Sequence, residues 1–527
     1  MLLISTYPTA WHFCKLYRVL FLLLTLTGIP TAHAQTPALS LRYTVSFPQP
    51  ATHRYHVELR VSGQPQDTLR LKMPNWMPGY YQLMHYANDL ENLIAEDEKG
   101  ERLSLQKTGD NTWLLPGVRK KPVVVQYEIK TSRTFVANSY VDSTRAYLIP
   151  ANTFLYLDGQ LGTPVSVEIK SNPSWKNIAT GLQPVAGQSG TFTAPDFDIL
   201  YDCPFLIGNL EELPAFEVRG AKHRFIGYGM GDFDRKQFMA NLKKVVEAAV
   251  DVIGDIPFPE YTFIGIGPGR GGIEHLNNTT VSFDGAGLDT PEGMNRTLNF
   301  LAHEYFHHYN VKRIRPYELG PFDYDKGSRT NLLWVGEGLT VYYEYLIVKR
   351  AGLIDEAGLL ADFEHNIQAV ESNPGRLHQS LVQASYSTWK DGPFGTQGNE
   401  KGKTISYYDK GPVVGLLLDF AIRHATQNQK SLDDVMRFLY QHYYQQLQRG
   451  FTDAEFEQAC ETVAGVPLTR VFEYVYTTKE LDYNTYLGYA GLKMEVGTEA
   501  NKKTWEISRM ENPDALQKQI LKAWLGE

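Results

Sequence analysis

The sequence predicts a multidomain α+β protein: an all-β N-terminal part, a mixed α+β middle part and a helical C-terminal region. Three observations carry this prediction. The chain has 527 residues, whereas single hydrophobic cores stop growing at about 250–300 residues. From Leu41 to about Ile207 apolar residues alternate with polar ones, as in Tyr55, Val57, Leu59 and Val61 or Val165, Val167 and Ile169, which is the period of half-buried strands. Beyond Glu211-Glu212-Leu213-Pro214 the apolar period lengthens to that of helices.

Residues 1–34 read as a secretory signal. Lys15 and Arg18 precede the apolar run from Val19 to Leu26, and Ala32-His33-Ala34 has the small-x-small form of a cleavage site. The mature chain is then expected to start at Gln35 and to work in the periplasm or outside the cell. The apolar run falls short of the roughly 20 residues of a membrane-spanning helix, so stable membrane insertion is not expected. A formal net charge of −8, deepened by the loss of Lys15 and Arg18, argues against nucleic acid and anionic lipid as partners. With Cys14 removed, Cys203 and Cys460 are able to pair in an oxidising compartment but are too few for a disulfide framework.

The all-β part, a sandwich or saddle-shaped sheet, is expected over residues 35–212, with turns such as Gly63-Gln64-Pro65 and Asp158-Gly159. Residues 213–430 show helical patterns from Asp234 to Val252, Pro291 to Asn310, Trp334 to Arg350 and Pro412 to Ala425. In the C-terminal region, 431–527, helices are expected between Ser431 and Tyr476. Two strands follow, around Gly491 to Val496 and Thr504 to Ile507, then a short helix near Leu516 to Trp524.

The stretch His303-Glu304-Tyr305-Phe306-His307 lies on a helix opened by Thr290-Pro291-Glu292, a hydroxyl cap, a proline and a first-turn acid. Histidines four apart share a helix face, so both imidazoles reach one ion. With 14 histidines in 527 residues, random order yields this motif only about 0.04 times per chain. Catalytic zinc takes three protein ligands, and Glu304 sits beside such a site as a base for water. His308 falls off the ligand face and is expected at the surface or behind the ligands. For the third ligand, Glu337 stands between two glycines in Trp334-Val335-Gly336-Glu337-Gly338, an apolar setting in which an unpartnered carboxylate is costly. The competing reading is an acid serving a helix dipole, and Glu344 is the other candidate, expected to be structural.

Gly267-Pro268-Gly269-Arg270-Gly271-Gly272 formally fits a dinucleotide-binding fingerprint, but that motif must open a helix. Here Ile273 to Thr279 reads as an extended edge strand, which excludes it. The glycines instead allow backbone to come close to a substrate strand.

Together, WVGEGLT, HEYFHHYNVKRIRP, Gly271-Gly272-Ile273-Glu274-His275, Trp76-Met77-Pro78-Gly79-Tyr80, NSYVDSTRAYLIPANTFLY and Tyr201-Asp202-Cys203-Pro204 closely resemble the glycyl aminopeptidase family of zinc metallopeptidases. These are gluzincins related to aminopeptidase N. The resemblance implies a thermolysin-like catalytic domain over 213–430 and one zinc per chain, held by His303, His307 and Glu337, with Glu304 as base. It gives Tyr408, in Ser406-Tyr407-Tyr408-Asp409-Lys410-Gly411, the role of steadying the oxyanion, with Tyr407 the alternative. Glu274 would hold the substrate's free α-amine, with Gly271 and Gly272 beside the substrate. The implied substrates are peptides with a free N-terminus and a small first residue, glycine first. Lys312-Arg313-Ile314-Arg315 suits a helix C-terminus, and Asn310, Lys312 and Arg315 fit the family pattern without an assigned chemistry. Many members carry a C-terminal PDZ domain; the 41 residues after Tyr486 are fewer than the roughly 50 of a small domain, so none is expected. Two other readings remain: an endopeptidase of the same fold, and an inactive protein that binds peptides or glycans.

Overall fold

The computed structural model describes residues 38–527 apart from 132, 401, 500 and 501; the expected signal, 1–34, lies outside the described residues. A seven-stranded sheet runs in the order Gln183–Pro184, Thr191–Ala194, Val165–Lys170, Ser40–Ser46, Arg54–Ser62, Val123–Lys130, Leu90–Asp97. Its register sets Tyr43 opposite Leu59 and Val45 opposite Val57. The alternation therefore collects these side chains on one buried face. Two four-stranded sheets complete the β half.

The middle sheet is built on β1 (Ala221–Gly227), β2 (Glu260–Gly265), β3 (Gly267–Glu274) and β4 (Asn278–Phe283), in the order β1-β2-β4-β3. β1, β2 and β4 are mutually parallel, and β3 lies antiparallel to β4 at the edge. Phe225, Phe263, Val281 and Phe283 pack among the helices. Ile226, Ile264 and Ile273 join the core of the β half. A sheet buried on both faces needs near-continuous apolar runs, which Phe263-Ile264 and Phe225-Ile226 supply.

The helices that position the site are α1 (Arg235–Ile253), α2 (Pro291–Phe306), α3 (Leu339–Arg350), α4 (Glu356–Ser372), α5 (Leu381–Asp391) and α6 (Tyr407–Ala425). Residues 431–527 add further helices, the hairpin Leu492–Glu499 with Lys502–Arg509, and a last helix, Ala515–Leu525. Their apolar residues, among them Leu432, Phe456, Leu487 and Trp524, belong to the helical core of the middle part and build none of their own. Among the described residues no helix is long and apolar enough to cross a membrane.

Several expected boundaries move. The pattern from Ile273 to Thr279 is two strands, β3 and β4, joined by a turn at His275-Leu276-Asn277. α2 stops at Phe306 rather than Asn310, where the chain winds into a turn with Lys312 N donating to His307 O (3.1 Å) and Ile314 N to Tyr309 O (2.7 Å). That turn sends His308 inward: its ring is fully buried against Tyr305, Tyr309 and Phe258, and burial pulls its pKa down. Of the two positions expected for it, at the surface or behind the ligands, the surface one is not found. The pattern from Trp334 opens with a π-helical turn, Trp334–Gly338, before α3 begins. α6 begins at Tyr407, five residues ahead of Pro412. Pro412 has no N–H for the Tyr408 carbonyl, which instead accepts from Asn366 Nδ2 at 3.4 Å. Cys203 and Cys460 are free thiols buried in separate cores, so no disulfide joins them.

Candidate metal centre

α2 starts on Thr290, whose hydroxyl accepts from Gly293 N at 3.1 Å, and carries His303 and His307 to its far end. Their Nε2 atoms lie 2.9 Å apart. Glu337 Oε2 is 3.6 Å from His303 Nε2 and 3.2 Å from His307 Nε2. These residues form the one group among the described residues whose His, Cys, Asp or Glu ligand atoms gather as a metal site, all within 4.8 Å. The outward nitrogens are engaged: His303 Nδ1 with Glu344 Oε2 at 2.7 Å, and His307 Nδ1 with Asn310 O at 2.7 Å. A backbone carbonyl only accepts, so His307 Nδ1 carries the proton and Nε2 is free to bind a cation.

The electrostatics point the same way. Burial opposes charge on both imidazoles, yet the carboxylates of Glu337 and Glu344 hold His303 well above its ordinary pKa, and Glu337 raises His307. Burial would raise Glu337, but His307 and His303 hold it below the usual carboxylate range. Burial pushes Glu304 up to about 7, with Glu274 and Glu337 adding to the rise. Glu274, Glu304, Glu337 and Glu344 thus crowd one water-poor site, and a divalent cation among them would compensate their charge and lower Glu304 again. The residues present fit such an ion, which would displace the protons that the carboxylates otherwise favour: two imidazole nitrogens of fixed orientation and a carboxylate. Glu344, expected to be structural, orients His303.

Close backbone approaches assemble these groups. A Cβ on Gly338 would fall 2.7 Å from Gly411 Cα and 2.8 Å from Tyr407 O, so the π-turn and α6 meet only because both positions are glycine. That contact brings Tyr408 Oη to 2.8 Å from Glu337 Oε2. Tyr407 turns away and shares a hydrogen bond with Thr388 Oγ1 at 3.0 Å. Of the two tyrosines, Tyr408 is the one at the centre. Lys410, two residues on, is buried without an ion pair among the described residues, and burial pulls it from its ordinary 10.5 to about 8. Its charging therefore opposes folding fully below about 8, and that penalty fades as pH rises to 10.5. Lys410→Met is expected to stabilise the fold by up to about 3 kcal/mol at pH 7, with the gain shrinking toward alkaline pH, as denaturation at both pH values would register.

β3 bulges against β4: Gly267 pairs Phe283 and Gly272 pairs Val281. Gly271 sits in the bulge with φ +87, and a Cβ on Gly272 would strike Glu304 Oε1 at 2.4 Å. The glycine run thus makes room for the Glu304 carboxylate, which also accepts from Thr279 Oγ1 at 3.3 Å. β3 ends on Glu274, only 4% exposed, with no hydrogen-bond partner for Oε1 among the described residues. Next to it, Asp202 of the β half accepts from Leu276 N (2.7 Å) and His275 Nδ1 (3.1 Å) and pairs with Lys312 Nζ (2.6 Å). Lys312 gains a structural role from this pair. Asn310 donates to Val335 O (2.7 Å) and Thr340 Oγ1 (3.0 Å), tying the turn after α2 to the segment that carries Glu337. Arg315 packs its guanidinium against Gly320. Sequence reasoning missed Asp202 and Thr279; Asp202 stood in the quoted Tyr201-Asp202-Cys203-Pro204, but nothing local marked its partners.

A cavity of about 840 Å³ opens beside the triad, lined by Gly271, Gly272, His303, Glu304, Phe394 and Tyr408, and continues between α2 and α4.

Residues 42–209 match the model of the peptidase M61 N-terminal domain, and residues 296–414 match that of the M61 glycyl aminopeptidase. An aminopeptidase N family protein from Idiomarina loihiensis has a similar structure: TM-score 0.81 and 27% identity over 87% of this chain and 79% of that one. The M1 zinc metallopeptidase of Deinococcus radiodurans shares the fold at TM-score 0.51 and 14% identity, covering 84% of this chain and 95% of its own. A variant of that second protein has been solved bound to a Tyr-Ser-Ala substrate. No curated protein matches the chain. Both halves of the family signature, with the buried triad between two histidines and a glutamate, are thus present in order, and the chain belongs to the M61 glycyl aminopeptidase family of metallopeptidases.

Proposed function

We propose that the protein is an exported zinc aminopeptidase that removes small residues, glycine above all, from the N-termini of peptides. The observation that carries end selection is Glu274: a buried carboxylate whose Oε1 has no partner among the described residues costs several kcal/mol unless a cation joins it, and a peptide's α-ammonium is such a cation. The leader-like stretch 1–34 supports export.

His303, His307 and Glu337 would hold the zinc, which would supply Lewis acidity: a lowered pKa for water, about 7, and a polarised carbonyl. The chain's own groups do the rest. Glu304 takes a proton from the attacking water and returns it to the leaving amine as the C–N bond breaks. Gly272, where any Cβ would strike Oε1, lets the carboxylate sit beside both. Tyr408 donates its phenolic hydrogen to the developing oxyanion, leaving Glu337 as it does so. Glu274 fixes the ammonium, so only the first peptide bond reaches Glu304.

A panel of aminoacyl-coumarin substrates, free and N-acetylated, with and without chelator, tests this. Chelation is expected to abolish hydrolysis, and acetylation to slow it by at least about 30-fold, the lower end for a buried ion pair left half-made. Equal rates on free and acetylated substrates would make the protein an endopeptidase.

A further inference from the structure

We infer that Tyr81, on a loop of the β half, sets the size of the first residue the enzyme accepts, its ring closing the non-primed side of the site to side chains larger than those of glycine and alanine. This rests on the aminopeptidase reading above. The loop Trp76–Tyr81 crosses directly over Glu274: a Cβ on Gly79, φ +92, would come 2.8 Å from Glu274 Oε2. Tyr81 follows, only 7% exposed. Two residues after Gly79, the Tyr81 ring is therefore packed on the loop that covers the amine-binding acid.

The loop is held firmly. Trp76 stacks edge-on against Trp389 at 4.9 Å, with Tyr81 on the same indole at 6.4 Å. Gln82 Nε2 bridges Tyr81 O (2.7 Å) and Thr388 O (2.6 Å), pinning the loop to α5. The open volume lies elsewhere: the 840 Å³ cavity is lined by Gly272, Glu304 and Tyr408 but by none of Gly79, Tyr81 and Glu274. An ammonium seated on Glu274 therefore directs the rest of the peptide into the cavity and its own side chain against Tyr81. A glycine has nothing to place there. A leucine would have to displace a packed aromatic ring, and well-packed sites resist added methylenes.

Rates on Gly-, Ala-, Leu- and Phe-coumarin substrates, for wild type, Tyr81→Ala and Tyr81→Phe, test the inference. The alanine variant is expected to raise the Leu/Gly ratio of kcat/KM by about 10- to 200-fold, the scale on which an apolar pocket discriminates. Tyr81→Phe keeps the ring and should keep the wild-type ratio. If Tyr81→Ala does not fold, Tyr81→Leu, shorter but still apolar, takes its place. An unchanged ratio in a variant with wild-type zinc content and melting temperature overturns the inference, as does equal relaxation by Tyr81→Phe, which would assign selection to the hydroxyl. Failure of the aminopeptidase reading looks different: wild type itself would then cleave N-acetylated and free substrates alike.

Discussion

Glu304→Gln is expected to lower kcat by about 10²- to 10⁴-fold, the usual contribution of a general base, while zinc content and KM stay near wild type. The substitution keeps the shape of a side chain that fits tightly: Gly272 leaves no spare room on one side, and Thr279 Oγ1 donates to Oε2 on the other. It removes only the ability to take and return a proton. His303, His307 and Glu337 are untouched, so metal analysis should still find the ion. Steady-state kinetics beside zinc quantification checks both halves of the claim. A glutamine variant as active as wild type would remove Glu304 from the mechanism, and loss of zinc would mean the carboxylate helps hold the metal.

Glu274→Gln should act on binding instead. Breaking a buried charge pair typically costs about 2–5 kcal/mol, or about 30- to 5,000-fold in kcat/KM, and here the loss falls only on substrates with a free amine. Acetylated substrates, which cannot use the carboxylate, should be cleaved as slowly as by wild type, so the preference for free N-termini collapses. The same change should raise the melting temperature, because it removes a buried carboxylate whose Oε1 has no partner among the described residues. Activity and stability moving in opposite directions separates a binding residue from one that merely supports the fold.

The parts of the site legible in the sequence are those made by local periodicity. His303, Glu304 and His307 follow from a helix with a four-residue repeat, and Glu337 from an acid in an apolar, glycine-flanked run. Tyr408 and Glu274 rested on resemblance, and the structure adds why they arrive: the Gly338–Gly411 approach for one and the edge position of β3 for the other. What sequence could not give is contact between distant segments. Asp202 meets Lys312 across 110 residues, and Gly79 meets Glu274 from a different half of the chain. Local rules also misplaced elements wherever a residue has two uses. Pro412 looked like a helix start because proline favours the first turn, yet it stands inside α6 with its missing bond covered by Asn366. A surface position stayed open for His308 because the pattern runs as a straight helix past the point where the chain turns.

The central sheet, apolar on both sides, is a party wall, and the active centre is laid across it unevenly. The metal triad belongs to the helical side. The groups that the proposed function assigns to the end of a peptide are shared: Glu274 on the edge strand, Gly79 and Tyr81 from the β half, and Asp202 anchoring the turn beyond β3. Any slackening along that wall, by heat or mild denaturant, would blur the choice of substrate end before it dismantled the hydrolytic machinery, leaving an enzyme that still cuts but no longer counts from the first residue.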